Sequence, residues 1–217
     1  MKAQGGPEVM EMEEIDLPAP GEGEVQIEQT AIGLNYMDVY QRSGKYKLDV
    51  PSPLGLEAAG RVTAVGLAHV VGGDEDCDTA VGPGVEGLQV GDRVVYGGAL
   101  GAYADMRNAP AARLVKIPDG ISDEVAAAVL LKGMTVEYLL ERTYKVQPGD
   151  PVLFYAASGG VGQLAGQWGR HLGAEMIGVT SGPANCAEIL TLGYAHAIDR
   201  KTEDIPARVK EITGGRG

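Results

Sequence analysis

The chain has 217 residues, 44% hydrophobic and 22% charged, which is enough apolar material for one large or two small buried cores and too much for a disordered segment. Thirty-three glycines against one Phe and one Trp point to tight turns and aliphatic cores, the balance of an α/β protein. A formal net charge of -12 opposes attraction to polyphosphate backbones, and two cysteines with scattered His69, His171 and His196 give neither a disulfide framework nor zinc-like spacing, so no nucleic-acid partner and no metal site are expected.

The opening MKAQGGPEVMEMEE has neither an apolar secretion core nor an Arg-rich amphipathic face, and no run approaches membrane-spanning length; a cytoplasmic protein with no membrane partner is expected. From Val25 to about Val115, short β-like runs alternate with glycine and proline: VQIEQTAIG, EAAGRVTAVG, GDRVVYGG, GAYADMRNAP and RLVKIPDG. Such dense turn signals predict an antiparallel or barrel-like β domain, with Gly91-Asp92 the strongest turn. Met37 to Arg42 can form one helical turn, ended at Ser43-Gly44. Residues 67–84 are acidic and glycine-rich without periodicity, and Ala-Val-Gly occurs at 64–66 and again at 80–82, so an exposed insertion at about 67–80 is expected.

After Ile117-Pro118-Asp119-Gly120 the texture becomes helical in SDEVAAAVLLKGMTVEYLLERTY, with Ser122 as a capped start and Gly133 dividing two helices, the second over about Thr135 to Thr143. The domain boundary is placed here, giving a β-rich domain at 1–122 and a second domain at 123–217. The second reads as strand Pro151 to Ala157, a glycine turn, helix Gln163 to Leu172 closed by Gly173, and strand EMIGVTS. Helix Ala184 to Leu192 closed by Gly193, strand AHAID and helix Ile205 to Ile212 follow. That β-α-β-α-β-α order predicts a parallel sheet.

Ala157, Gly159 and Gly162 occupy the three positions of G-x-G-x-x-G between a strand and a helix. Glycines there let a pyrophosphate reach the helix N-terminus, so Ala157, Ser158, Gly159, Gly160, Val161 and Gly162 are candidate cofactor ligands. A structural glycine turn without ligand is the alternative. No Asp or Glu follows at the end of the next strand, where Val179-Thr180-Ser181-Gly182 stands; this favours a 2′-phosphate, with Arg200 or Lys201 as its cation or, equally, both cations on a solvated loop.

Ordered blocks through GLNYMDVYQRSGKY at 33–46, PLGLEAAGRVTAVG at 53–66, GVEGLQVGDRVVY at 84–96, GAYAD at 101–105, LLKGMTVEYLL at 130–140 and AASGGVG at 156–162 cover nearly the whole chain. They resemble the quinone oxidoreductase and zeta-crystallin branch of the medium-chain dehydrogenase/reductase superfamily. The resemblance implies a GroES-like β-rich domain followed by the first half of a Rossmann doubly wound parallel sheet, and hydride transfer from NADPH to a quinone or enone. It also implies homodimers among full-length relatives. Zinc is not implied, since the places that hold it in zinc-dependent relatives fall in GLNYMD and at Leu56. By position, Asn35, Tyr46 and Thr135 would serve the reacting groups as hydrogen-bond donors, and Gly133, Thr135, Thr180, Ser181 and Arg200 would touch cofactor; the residues taken by themselves equally allow Asn35 as a cap of the following turn, Tyr46 as a half-buried packing residue and Thr135 as an N-cap.

Four departures qualify the expectation, two of them being a start, MKAQGGPEV, short for the family's opening strand and the acidic insertion around Cys77. The chain stops where family members begin a fourth Rossmann strand, which would leave PVLFYAA at an open sheet edge and activity impaired by truncation. The family's basic residue after the second strand aligns with Cys186, and a tyrosine after the third with Arg200. A non-catalytic nucleotide-binding remnant and an enoyl or acyl-thioester reductase of the same superfamily are the other readings.

Overall fold

In VQIEQTAIG, Val25 and Ile27 are fully buried while Glu28 and Thr30 face solvent, the period-two pattern of a strand with one face on a core. This strand is β1 (Glu24–Gly33), followed by α1 (Tyr36–Ser43), β2 (Glu57–Val65), β3 (Arg93–Gly97), β4 (Met106–Pro110) and β5 (Val115–Lys116). The computed structural model describes residues 1–66, 85 and 87–215, and the insertion expected at 67–80 lies outside them. The strands form one antiparallel sheet in the order β4-β1-β2-β3-β5. Central β2 alternates its small side chains between two cores: Ala58 and Val62 join Val25, Ile27, Val94 and Tyr96, whereas Ala59 joins Val95, Ile117, Ala126 and Ala127.

The turn residues behave as their chemistry requires. Gly44 ends α1 in the left-handed region at φ 82°, and Gly91 makes its turn at φ 94°. GAYADMRNAP is a strand only over its last five residues. Gly101 N–H and Tyr103 N–H are drawn to the carbonyls of Gly55 and Leu54, at 3.0 and 2.9 Å, which takes the first half out of the ladder.

Helix α2 (Asp123–Glu137) starts with Ser122 Oγ accepting from Val125 N–H at 3.3 Å. Gly133 does not divide it, contrary to expectation. Its neighbours Leu131, Lys132 and Met134 are good helix formers, and one glycine costs only about 1 kcal/mol against alanine. The winding changes later, to a π-helix over Tyr138–Thr143. The chain's two compact units, Met1–Leu131 and Lys132–Gly217, part within α2.

In the second unit β6 (Pro151–Tyr155), α3 (Gly160–His171), β7 (Glu175–Thr180), α4 (Pro183–Thr191), β8 (His196–Asp199) and α5 (Ile205–Ile212) alternate as expected. Gly173 and Gly193 close α3 and α4 with φ 80° and 104°. The sheet is parallel in the order β6-β7-β8. Central β7 is buried on both faces. Met176 packs with Val136, Leu140, Ala165, Ile189 and Tyr194, while Ile177 and Val179 pack with Ile198 and the α5 residues Ile205, Val209 and Ile212. Each fully buried aliphatic side chain in these clusters contributes about 1.5–3 kcal/mol.

Among the described residues β6 has one neighbour, β7. Val152 and Phe154 turn into the core, and Leu153 and Tyr155 are exposed at 38% and 59%. Among the described residues β6 is thus an edge strand of this sheet, the place expected of PVLFYAA. Among the described residues no helix is long and apolar enough to cross a membrane.

Candidate functional site

At the end of β6 the chain turns through Ala156, the only non-glycine with positive φ among the described residues, at 55°. Ala157 N–H still reaches Val179 O at 3.0 Å, which keeps this fully buried residue tied to β7. The left-handed position thus falls one residue early, and alanine fits the first place of the G-x-G-x-x-G pattern. Gly159 caps α3: its N–H donates to Ala156 O at 2.8 Å and its carbonyl accepts from Gln163 N–H at 2.9 Å. A Cβ at Gly162 would stand 2.5 Å from the carbonyl oxygens of both Ala156 and Ala157, so only glycine lets α3 pass this close to the strand end.

Helical geometry leaves the N–H groups of Gly160, Val161 and Gly162 without intrahelical partners, and no acidic residue lies in the first turn of α3. The helix start therefore carries partial positive charge suited to an anion. The Lys132 stem runs past it, its Cδ and Cε at 3.0 and 3.1 Å from where a Cβ on Gly160 would be. Sequence reasoning missed Lys132, although a lone cation in AAAVLLKGMTV was a visible signal.

The ends of β6, β7 and β8 bring four expected residues together. Ser158 Oγ and Thr180 Oγ1 are 2.7 Å apart, Arg200 Nε donates to Ser181 Oγ at 2.5 Å, and Arg200 N–H donates to Thr180 O at 3.0 Å. Asp199, not foreseen, organises this corner: its Oδ1 accepts from the N–H groups of Gly182 and Lys201 at 2.9 and 3.0 Å. Those backbone donors hold its carboxyl below the usual range. Burial, then Asp199 and Glu203, pushes the nearby Cys186 thiol up, away from thiolate chemistry.

In the first unit Asn35 precedes α1 as its N-cap. Its backbone N–H donates to Asp38 Oδ2 at 2.9 Å, and its side-chain Nδ2 donates to Glu57 Oε2 at 3.0 Å and toward Gly33 O at 3.5 Å. Glu57 is fully buried, and its Oε1 accepts from Leu131 N–H at 2.6 Å. Tyr46, about half exposed, stands edge-on to Tyr40 at 5.3 Å, and Tyr40 edge-on to Tyr36 at 5.0 Å. Tyr36 and Tyr40 went unnoticed in the sequence, though their i, i+4 spacing in YMDVY puts both on one side of α1. Gly133 and Thr135 lie in the part of α2 belonging to the second unit; Thr135 is interior to the helix and does not cap it.

Tyr103 O–H donates to Asp38 Oδ2 at 3.0 Å, and burial, reinforced by that bond, raises its hydroxyl to about 12 from the ordinary 10.0. A raised folded-state value means the contribution to stability is complete below pH 10 and is lost as pH rises through about 12. The urea midpoint is expected to fall across that window, and Tyr103→Phe should flatten the fall while lowering the midpoint at neutral pH. An unchanged alkaline profile in the variant would refute the assignment.

Among the described residues no three His, Cys, Asp or Glu side chains gather where a metal ion could sit. Residues 21–119 match the family described as Alcohol dehydrogenase GroES-like domain, and residues 160–217 the family described as Zinc-binding dehydrogenase. The chain is 45% identical over 214 residues to a quinone oxidoreductase of Salmonella typhimurium, covering 98% of this chain and 61% of that protein. It is 42% identical over 219 residues to a 2-haloacrylate reductase of a Burkholderia species, covering 99% and 62%. A solved Escherichia coli quinone oxidoreductase complexed with NADPH superposes with TM-score 0.88 at 43% identity, over 99% of this chain and 62% of that one. A GroES-like domain with a Rossmann-type parallel sheet defines a medium-chain dehydrogenase/reductase. Within that superfamily the chain belongs to the quinone oxidoreductase branch, and it spans about 61% of the length of the curated relatives it matches.

Proposed function

We propose that the chain binds NADPH at the turn between β6 and α3 and serves a zinc-independent reductase acting on quinones or enones. The observation carrying this reading is the convergence of Ser158, Thr180, Ser181 and Arg200 beside the glycine-bordered start of α3. The N–H groups of Gly159, Gly160, Val161 and Gly162 would hold the pyrophosphate, joined by Ser158 and the backbone of Ala157. Thr180, Ser181 and Arg200 would hold the adenosine ribose and its 2′-phosphate, with Gly133 and Thr135 contacting the cofactor from α2.

Bound there, NADPH supplies a hydride to an electrophilic carbon. The residues Asn35, Tyr46 and Thr135 would orient the reacting groups and meet the oxygen on which negative charge develops. The GroES-like part, proposed as 1–122, would carry these substrate contacts and the part from 123–217 the nucleotide. A small-molecule role in the cytoplasm, without nucleic acid, suits the net charge of -12. The identity with 2-haloacrylate reductase favours a second reading, reduction of a polarised carbon–carbon double bond.

Mixing the 217-residue chain with NADPH and a simple quinone, an enone or a 2-haloacrylate, and following loss of reduced-nicotinamide absorbance, tests both readings. Quinone turnover supports the first, and turnover of the halogenated acid alone supports the second. Calorimetric titration with NADPH and with adenosine 2′,5′-bisphosphate completes the test. Equal affinity for both, without turnover of any acceptor, would overturn the reductase reading and leave a nucleotide-binding segment.

A further inference from the structure

We infer that Glu57 is a positioning residue that decides which end of the Asn35 amide is offered to a ligand. The inference rests on the reading above only in giving Asn35 a ligand to meet; the orientation itself stands on the first unit's own geometry. Three observations carry it. The backbone of residue 35 is pinned by Asp38 Oδ2, which accepts the Asn35 N–H at 2.9 Å. The side-chain Nδ2 faces Glu57 Oε2 at 3.0 Å, and the other carboxylate oxygen of Glu57 is anchored by Leu131 N–H at 2.6 Å. Gly33 clears the space for this arrangement, since a Cβ there would stand 2.6 Å from Glu57 Oε2.

With its backbone pinned, the main freedom left to the Asn35 amide is a half-turn that exchanges oxygen and nitrogen. The half-turn would bring amide oxygen against carboxylate oxygen in a fully buried place, where repulsion is least screened. Glu57 therefore selects one orientation together with the capping box of α1: the NH2 group is spent inward, on Glu57 and toward Gly33 O, while Oδ1 lies on the side of the Asp38 N–H and keeps one lone pair for a ligand. Asn35 then acts toward a ligand as an acceptor. It suits a partner that donates, such as a carboxamide N–H or a hydroxyl, and this differs from the donor role that its residue type alone suggested.

The polarity can be inverted and restored. In Glu57→Gln the introduced side chain keeps its oxygen on Leu131 N–H and turns its own NH2 toward residue 35, so the Asn35 amide flips and presents its NH2 group. Adding Asn35→Asp returns an oxygen to the outward position while the other oxygen accepts from the introduced glutamine. Asn35→Asp alone sets two carboxylates about 3 Å apart and destroys the arrangement.

Hydrogen exchange of the Asn35 side-chain amide, read by nitrogen-resolved NMR on the 217-residue chain, is expected to be slow in the native protein. In Glu57→Gln it should be faster by about tenfold or more, the factor one lost charge-assisted hydrogen bond implies. With NADPH and the acceptor that turns over, Glu57→Gln and Asn35→Asp should each lower kcat about tenfold or more with little change in KM for NADPH, and the double variant should recover to within about threefold of the native value. Fast exchange in the native chain, or a double variant no better than Glu57→Gln, would overturn the inference. Circular dichroism identifies a single variant that fails to fold; the native exchange rate and the double variant then decide. Absence of native turnover with every acceptor would sink the functional reading instead, and the exchange pattern would still settle the orientation of the amide.

Discussion

Gly162→Ala is expected to destabilise the second unit by roughly 3 kcal/mol, the upper end of what over-packing costs. The added methyl would meet the carbonyl oxygens of Ala156 and Ala157 at 2.5 Å and Ala157 Cα at 2.6 Å. These are backbone atoms at the end of a paired strand, so no rotamer change relieves the clash. Either α3 lifts from the sheet, loosening the packing of Ala165 and Trp168 against Val136, Met176 and Ile189, or the β6 turn reopens and loses the bond from Ala157 N–H to Val179 O. Trp168, the single tryptophan, sits in α3 and reports this unit alone in a urea titration followed by fluorescence. Gly159→Ala provides the contrast. Its φ of -78° is ordinary for alanine and the nearest atom is Ala156 O at 3.1 Å, so the fluorescence midpoint should move by less than about 0.5 kcal/mol. A methyl there nevertheless stands at the helix start, and NADPH affinity should fall about tenfold or more as a phosphate is held off the N–H groups. Equal midpoints for the two variants would show that the approach of helix to strand is not set at Gly162.

This difference between two glycines of one motif explains what the sequence could reveal. Spacing in the G-x-G-x-x-G pattern expresses local sterics. The parallel pairing followed from the alternation of strands and helices, while the turn and α3 were legible because each depends on neighbours within a few residues. The same holds for the glycine stops at 44, 173 and 193. The site in the first unit depends instead on side chains that only tertiary register brings together: Tyr103 on Asp38 across 65 positions, and Asn35 and Leu131 on Glu57 across 22 and 74. Nothing periodic in the sequence encodes those pairs. Residue type named Asn35 as a donor, and only the position of Glu57 shows where the donors go. Asp199 was hidden for the same reason, at a strand end where its partners are the backbone N–H groups of Gly182 and Lys201.

Arg200→Ala is expected to weaken NADPH binding by about tenfold to a hundredfold, the range for losing one or two hydrogen bonds to a charged group, while NADH binding changes less than about threefold. The guanidinium is aimed by two contacts: its backbone N–H holds Thr180 O at 3.0 Å, and its Nε holds Ser181 Oγ at 2.5 Å. With Nε engaged, the two terminal nitrogens form the fork that suits a phosphate. Asp199, the preceding residue, does not neutralise that fork directly, because its Oδ1 is occupied by the N–H groups of Gly182 and Lys201. Arg200 is exposed, so its advantage is screened, and the ratio of NADPH to NADH affinity in the native chain should shrink as salt rises. Arg200→Lys keeps the charge but loses the fork and the Nε bond to Ser181, so it should recover only part of the preference. Calorimetric titrations of both nucleotides at two ionic strengths measure all of these quantities. An Arg200→Ala chain that still prefers NADPH as strongly as the native one would show that the Arg200 guanidinium is not what meets the 2′-phosphate, and would shift attention to the neighbouring Lys201.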